Sequence, residues 1–388
     1  MDEFSERHSQ DDSRGRGVAA RLAGAVALAA LIGAGVAALP SARADDASDA
    51  EALLQAARTM TPAQYAGPTT PAKAPKDVKI AAITCLSVLH GCVSPTDGIT
   101  HAAAKLGWTV KVYDGGGTPS KQNAAILDAI SSGANVIATI AIDPNLVQLS
   151  LSEAKKAGIP VVAGSNGIDT PDPVNLAPPN GLGFAFDVSP DYITLGEHMA
   201  QWIIADSKGK ANVALFSDKE FPSIMAQEVG VLKGFAACST CKVSKQIYFT
   251  ATQIATQLGQ MTVDYVRTHP DVDYIYGAFD PPVAAQVAAL VQAGLGKKVK
   301  IVGALGNQQN LNFIREGRVQ AADGAYDNEY MGWAIVDQTI RLLNKQQLAD
   351  PHGENLPFVV LDKTNLPAPG SDWQAQTGYQ DKFLALWK

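Results

Sequence analysis

The chain has 388 residues, 46% of them hydrophobic and 18% charged, with 38 acids against 31 bases and a net charge of −7. That length suggests two domains, and an acidic, well-mixed surface argues against nucleic acid as a partner. The six histidines form no His-Glu-x-x-His or His-x-His pattern and there is no Gly-x-Ser-x-Gly elbow, so the usual signatures of a hydrolase are missing.

In chain order, the first segment is polar and carries Arg14, Arg16 and Arg21; Leu22–Leu39 is an unbroken apolar run, and Ala42-Arg43-Ala44 is a small-x-small cleavage pattern. Residues 1–44 are therefore predicted to be a cleavable signal peptide. The rival reading is an uncleaved anchor, because the run is near the minimum for spanning a bilayer. Its Ala and Gly content and the cleavage pattern at its end favour removal. No cysteine lies at the cut and no Arg-Arg pair precedes the run, which points to the general secretion route without a lipid anchor. Cleavage would leave 344 residues and remove five acids and five arginines, so the net charge stays at −7. An exported chain has no ATP or NADH supply. Capture of a small molecule, with no cofactor or metal, is favoured over its transformation.

Residues 45–76 read as a leader: Ala50–Arg58 suits a short helix, and Thr61–Lys76, rich in Pro, Thr and Ala, suits an extended run over the surface. Regular alternation begins at Val78. Strands are predicted at Val78–Thr84, Thr109–Tyr113, Val136–Ile140, Val161–Ala163 and Gly183–Phe186, with helices at Thr96–Leu106, Lys121–Ser131 and Leu146–Ala157. Gly107, Gly133 and Gly158 fall just past helix ends, where a left-handed residue is wanted. Strands apolar on both faces imply parallel sheets covered on both sides. After Ser189 the pattern repeats. Helices are predicted at Tyr192–Asp206, Ile224–Ala237, Ile254–Thr268, Val283–Ala293, Gln309–Glu316 and Tyr330–Leu343, and strands at Val213–Phe216, Ser244–Phe249, Tyr274–Tyr276, Lys300–Val302, Gln320–Ala325 and Phe358–Leu361. The tail ends in an amphipathic turn, Tyr379–Trp387. Two α/β halves of similar build thus follow one another, and ligands of such sheets bind at the carboxyl ends of strands.

The four cysteines are locally paired, Cys85 with Cys92 and Cys238 with Cys241. In an oxidising compartment two short disulfides are expected. Zinc is the alternative, since Cys-x2-Cys is a ligand spacing, but the pairs sit in different halves. A redox pair is disfavoured because Cys238 follows a helix instead of starting one.

The ordered stretches Val78–Gly98, Lys155–Ala163, Gly230–Phe235, His269–Ala278, Lys300–Gly303 and Gly317–Ala321 resemble the type I periplasmic solute-binding proteins of ABC importers, of the ribose-binding kind. The leader Tyr65–Thr70 is similar to leaders of some members. The resemblance implies two doubly wound, three-layer α/β lobes joined by a three-segment hinge. Lobe one would be 77–188 plus 326–354, and lobe two 189–325 plus 355–388. Crossings would fall near Asp187–Pro190, Ala325–Asn328 and Gly353–Leu356. It further implies a periplasmic monomer that closes on its ligand by hinge bending and hands it to a membrane permease.

Family contacts come from the loops after successive strands. In the first, Cys85–Cys92, stand Leu89 and His90. The loop where sugar binders often carry Asp-Arg has Ser165-Asn166, and the arginine expected before Gly234-Phe235 is absent. An Asn-Asp pair is replaced by Phe279-Asp280, an expected Asp by Ala304–Asn307, and a Gln near the last crossing by Ala325, followed by Tyr326-Asp327. Asp143 and Phe221 are further candidates. A sugar needs a partner at nearly every hydroxyl, because a buried unpaired polar group costs about 1–3 kcal/mol. Leu89, Phe279 and Leu305 offer none, and Tyr326 offers one hydroxyl. The expected ligand is less hydroxylated, partly apolar or aromatic, and oriented by Asn166, Asp280, Asn307 and Asp327. The plainer roles are that Phe279 and Tyr326 are core aromatics and that Asp143 and Asp280, each before a proline, cap helices. Asp114–Gly117 lacks the spacing of a phosphate cradle and reads as a turn. Competing functions are a sugar binder of the same family, a sensor presenting its closed form to a membrane receptor, an enzyme assembled in three dimensions, and a repressor. The last would need a DNA-binding headpiece where the export signal stands.

Overall fold

The computed structural model describes residue 52 and residues 54–167 and 183–388. The predicted signal peptide lies outside the described residues. No helix among the described residues is long and apolar enough to cross a membrane.

The strands are β1 (Lys79–Thr84), β2 (Thr109–Asp114), β3 (Val136–Ile140), β4 (Val161–Gly164), β5 (Asp187–Val188), β6 (Asn212–Asp218), β7 (Lys242–Phe249), β8 (Tyr274–Tyr276), β9 (Lys300–Leu305), β10 (Gln320–Tyr326) and β11 (Phe358–Asp362). The α-helices are α1 (His90–Lys105), α2 (Pro119–Ser131), α3 (Gln148–Lys156), α4 (Tyr192–Asp206), α5 (Pro222–Ala236), α6 (Leu258–Thr268), α7 (Asp280–Gln292), α8 (Gln308–Glu316), α9 (Asn328–Leu343) and α10 (Tyr379–Leu386).

Two separate sheets form. One has the order β2-β1-β3-β4-β5 and is parallel throughout. The other has the order β11-β10-β9-β8-β6-β7 and is parallel except for antiparallel β11. Central strands such as β3 (VIATI) are buried at every position, as a sheet covered on both faces requires. The chain passes from one sheet's layers to the other's between β5 and α4, between β10 and α9, and between α9 and β11. Each lobe has a helix pair in close approach. A Cβ on Gly98 of α1 would lie 2.6 Å from the Glu329 carbonyl oxygen of α9, and one on Gly230 of α5 would lie 1.9 Å from the Ile193 carbonyl oxygen of α4. Only glycine admits that approach.

Three expectations need correction. Helix α1 starts at His90, six residues before predicted Thr96, and runs through Pro95. The predicted strand Gly183–Phe186 becomes the two-residue β5, although Phe184 and Phe186 are buried and Ala185 N–H still bonds the Val161 carbonyl at 2.8 Å. The C-terminal helix does not stay with lobe two. After β11 the tail returns, and α10 packs on α9: Tyr379 meets Tyr330 at 4.8 Å between ring centroids, Trp387 stacks on Trp333 at 5.5 Å, and Trp387 Nε1–H donates to Asp337 at 2.6 Å. Burying this aromatic stripe fixes the lobe to which the tail belongs.

The leader is tied to both lobes. Thr61 makes an antiparallel bridge with Phe358, at the start of β11, and Arg58 pairs with Asp362 at 2.6 Å. Further along, Arg341 and Asn344 of α9 bond the carbonyls of Thr70 and Lys73, and Trp108 bonds that of Pro75.

Candidate functional site

The strand ends of both sheets line a narrow pocket of about 30 Å³ that is partly open to solvent. From the first lobe its wall takes Leu89, Gly91, Cys92, Ala141 and Ser165; from the second it takes Phe221, Ser223, Ile224, Phe279, Leu305 and Tyr326. Each sits at or just past a strand's end or at a helix start. Leu89 is the N-cap of α1, Phe221 of α5 and Phe279 of α7. Several strand ends carry a left-handed non-glycine residue: Ala141 (φ 52°), Ser165 (φ 64°), Ala278 (φ 64°) and Leu305 (φ 126°). Such strain costs about 1–3 kcal/mol per residue and clusters at ligand clamps.

The wall is mostly apolar. Phe279 stands edge-on to Phe221 at 5.8 Å and stacks with Phe249 at 6.5 Å. The polar part is a string of hydroxyls. Ser165 Oγ and Tyr192 OH are 2.9 Å apart, and the Tyr192 ring stands edge-on to Tyr326 at 5.4 Å. Burial pushes the phenols of both tyrosines up, so they stay neutral donors. Tyr192 was not among the sequence candidates. Its signal was its place, first in the helix that follows a crossing.

The charged and amide candidates lie behind this wall. Asp280 is fully buried and its Oδ2 accepts the Asn307 N–H at 2.7 Å. Asp323, also missed in the sequence, accepts the Gly306 N–H at 2.9 Å and the Gln320 amide at 2.9 Å. Burial raises the pKa of Asp280, and neighbouring Asp323 raises it further, so the pair holds a proton between them. Together they clamp the 305–307 turn that presents Leu305. Asn307 is the N-cap of α8 and is half-buried. Asp327 caps α9 through the Tyr330 N–H at 2.9 Å and holds the Ala375 N–H at 2.8 Å; burial pushes its pKa up to about 7. Asn166 is held by Asp187, whose carboxylate also takes the Gly167 N–H at 2.9 Å. Asp143 caps the short turn Pro144–Leu146 and borders a second crevice, about 50 Å³, with Glu220 and Phe221. His90 Nε2 lies 2.6 Å from Asp372 Oδ2 at the rim. The structure thus brings Leu89, Ser165, Phe221, Phe279 and Tyr326 together on the wall, while of the expected orienting set Asp280 and Asp327 hold backbone N–H groups beside it, and Asn166 and Asn307 each keep a buried Oδ1 without a hydrogen-bond partner.

Cys85–Cys92 is a disulfide, joining the end of β1 to the first turn of α1 behind Leu89. Cys238–Cys241 is the second, between α5 and β7. No group of metal-ligating side chains occurs among the described residues.

The periplasmic binding protein domain matches residues 92–347 of the sequence. The chain belongs to that family. It is a family of solute-binding proteins, not of enzymes. No curated protein matches the chain in a sequence comparison. Solved structures do match this binding protein in fold. An ABC transporter solute-binding protein from Agrobacterium vitis, bound with α-D-tagatopyranose, is 19% identical, with 76% of this chain and 97% of that chain covered and a TM-score of 0.67. One from Mycobacterium smegmatis with bound glycerol is 20% identical over 77% and 100%, with a TM-score of 0.66. A 5-methylthioribose transporter solute-binding protein from Thermotoga lettingae, in complex with 5-methylthioribose, is 17% identical over 76% and 88%, with a TM-score of 0.64. At these identities the likeness establishes the two-lobed type I fold and leaves the ligand open.

Proposed function

We propose that this binding protein captures a small organic solute between its lobes in the periplasm and, as a monomer, delivers it to the permease of an ABC transporter. Hinge bending at the crossings opens and closes the seam. The pocket between the lobes, about 30 Å³, holds only a few waters, so a larger solute enters as the lobes part.

The solute is less polar than a simple sugar, with an apolar or aromatic body and one polar end. The observation that carries this reading is the wall itself: Leu89, Ile224, Leu305, Phe221 and Phe279 face a space whose side-chain hydrogen-bonding groups are the hydroxyls of Ser165, Ser223 and Tyr326. Each hydroxyl of a pentose or hexose left unpaired there would cost about 1–3 kcal/mol. An aromatic body would gain edge and face contacts with the phenylalanines. The second reading is a sugar. It is favoured by the neighbour that holds tagatopyranose. A thermal-shift panel separates the two, with mass spectrometry of whatever co-purifies. Stabilisation by deoxy- or thioalkyl-sugars and aromatic acids supports the first reading. Tight binding of a simple pentose or hexose, with no response to apolar solutes, overturns it.

A further inference from the structure

The rim of the seam carries an ion pair between elements of different lobes. His90 opens α1 in the first lobe. Asp372 belongs to the tail, but that stretch is fastened to the second lobe: Asp372 Oδ1 accepts the Gln308 N–H at the start of α8 at 2.8 Å, and Trp373 N–H donates to the Gly306 carbonyl at 2.8 Å. The Trp373 ring packs with Leu311, Ile314 and Val359 of the second lobe. Asp372 therefore moves with lobe two, and His90 with lobe one. Beside them Gly91 meets Leu305 across the same seam, where a Cβ on Gly91 would lie 3.1 Å from Leu305 Cδ1. Among the described ion pairs, His90–Asp372 is the one that joins the two lobes across the rim.

We propose that His90 and Asp372 form a pH-dependent latch that favours the closed form of the protein. The Asp372 Oδ2 lies 2.6 Å from His90 Nε2, and contact with Asp372 is the largest influence on the imidazole. Both side chains are about 40% exposed, which places the latch at the rim and within reach of solvent. The charged neighbours are few. His90 faces Asp372 from the tail and Asp97 from its own helix, and Asp97 is in turn shared with His101 and Glu329. Asp372 faces His90 and the Gln308 N–H.

The sign follows from the partners. Asp372 raises the imidazole's pKa in the closed form, against the opposing effect of burial. Opening removes that partner. The latch is therefore fully present below the open-form pKa of His90, about 6.5, and is lost as pH rises through the higher closed-form value. For Asp372, burial pulls the pKa upward, yet the His90 and Gln308 contacts outweigh it and the net shift is down. Its contribution is present above about pH 4 and fades in stronger acid. Closure is favoured most between about pH 4 and pH 6.5.

The test needs no solute, so it stands apart from the reading of the ligand. Leu149→Cys on α3 and Val291→Cys on α7 are exposed and sit on opposite lobes, and a fluorophore pair there reports lobe separation. In otherwise native protein the closed-to-open ratio should fall by about two- to fivefold from pH 5.5 to pH 8.5, the span a half-exposed pair supports. His90→Gln and Asp372→Asn should each flatten that response, with thermal melts showing that both variants fold. A ratio equal at the two pH values in the parent protein overturns the proposal. So does a pH response that survives in either variant.

Discussion

Gly230→Ala in α5 should unfold the second lobe's helix pair at a stated cost. The new Cβ would sit 1.9 Å from the Ile193 carbonyl oxygen, 1.5 Å short of an ordinary 3.4 Å contact. The reciprocal position agrees, since a Cβ on Gly196 would lie 2.1 Å from the Gln227 carbonyl oxygen. Both obstacles are backbone atoms of helices, which cannot rotate away as a side chain can. Overpacking of this kind costs about 3 kcal/mol, the upper end of the usual range. Alanine returns up to about 1 kcal/mol in helix propensity, so the net loss is about 2–3 kcal/mol. With a urea slope of about 3 kcal/mol/M the midpoint should fall by about 0.7–1 M. Gly107→Ala is the control. Its φ is +68° but nothing lies within 4 Å, so only the left-handed backbone is penalised, by about 1 kcal/mol. The perturbation should also reach the site. α5 carries Ser223 and Ile224 on the cavity wall, and α4 starts with Tyr192, so parting these helices misaligns the hydroxyl string from the apolar wall. Urea titration followed by circular dichroism measures the first effect and calorimetric titration with a solute the second. A Gly230→Ala protein as stable as the parent would refute the close approach and the reasoning built on it.

Other substitutions follow from the same geometry. Tyr326→Phe removes one hydroxyl from the Ser165–Tyr192–Tyr326 string and should cost about 1 kcal/mol of stability. If that hydroxyl also meets the solute, affinity falls by about tenfold in calorimetry. Replacing Cys85 and Cys92 together by serine opens a short loop and should lower stability by about 2.5 kcal/mol in denaturant titration, while loosening Leu89 at the wall. Stability should fall as pH rises from about 4 to above 7. Burial raises the Asp218 and Asp327 carboxyls to about 7 from 3.8, so the folded chain binds more protons than the unfolded one across that window. Asp218→Asn should flatten part of that slope in melts taken at pH 5 and pH 8.

The α/β plan was legible in the sequence because period and punctuation agreed. Apolar runs such as VIATI can only be strands buried on both faces, and Gly107, Gly133 and Gly158 do end helices with φ of 68°, 73° and 71°. Legibility failed where a tertiary contact outvoted the local signal. The helix was expected from Thr96, yet α1 starts at His90 and runs through Pro95. Nothing in Tyr379–Trp387 says which lobe it will join. That is settled by Tyr330 and Trp333 on α9, some fifty residues away, whose rings are buried by it.

The stretches that line the pocket were legible by position, while the hydrogen bonds of their polar residues were not. Counting loops after strands nominated Leu89, Ser165, Phe221, Phe279 and Tyr326, which line the pocket, and also Asp280 and Asp327, whose carboxylates bond backbone N–H groups beside it. There is a physical reason for these bonds. A strand end at a helix start leaves orphan N–H groups that must be met, and in a buried seam a carboxylate is the strongest acceptor at hand. Asp280 meets Asn307, Asp323 meets Gly306, Asp327 meets Tyr330 and Asp187 meets Gly167. An oxygen taken up by the backbone in this way is withdrawn from a ligand, while Asp280 keeps Oδ1 without a hydrogen-bond partner. The side chains that line the pocket are Leu89, Phe221, Phe279 and Leu305, with the hydroxyls of Ser165 and Tyr326, and under the proposed reading these meet the solute. Selectivity in such a seam comes from the loops that the acids hold rigid, and removing an acid should broaden the range of solutes before it abolishes binding.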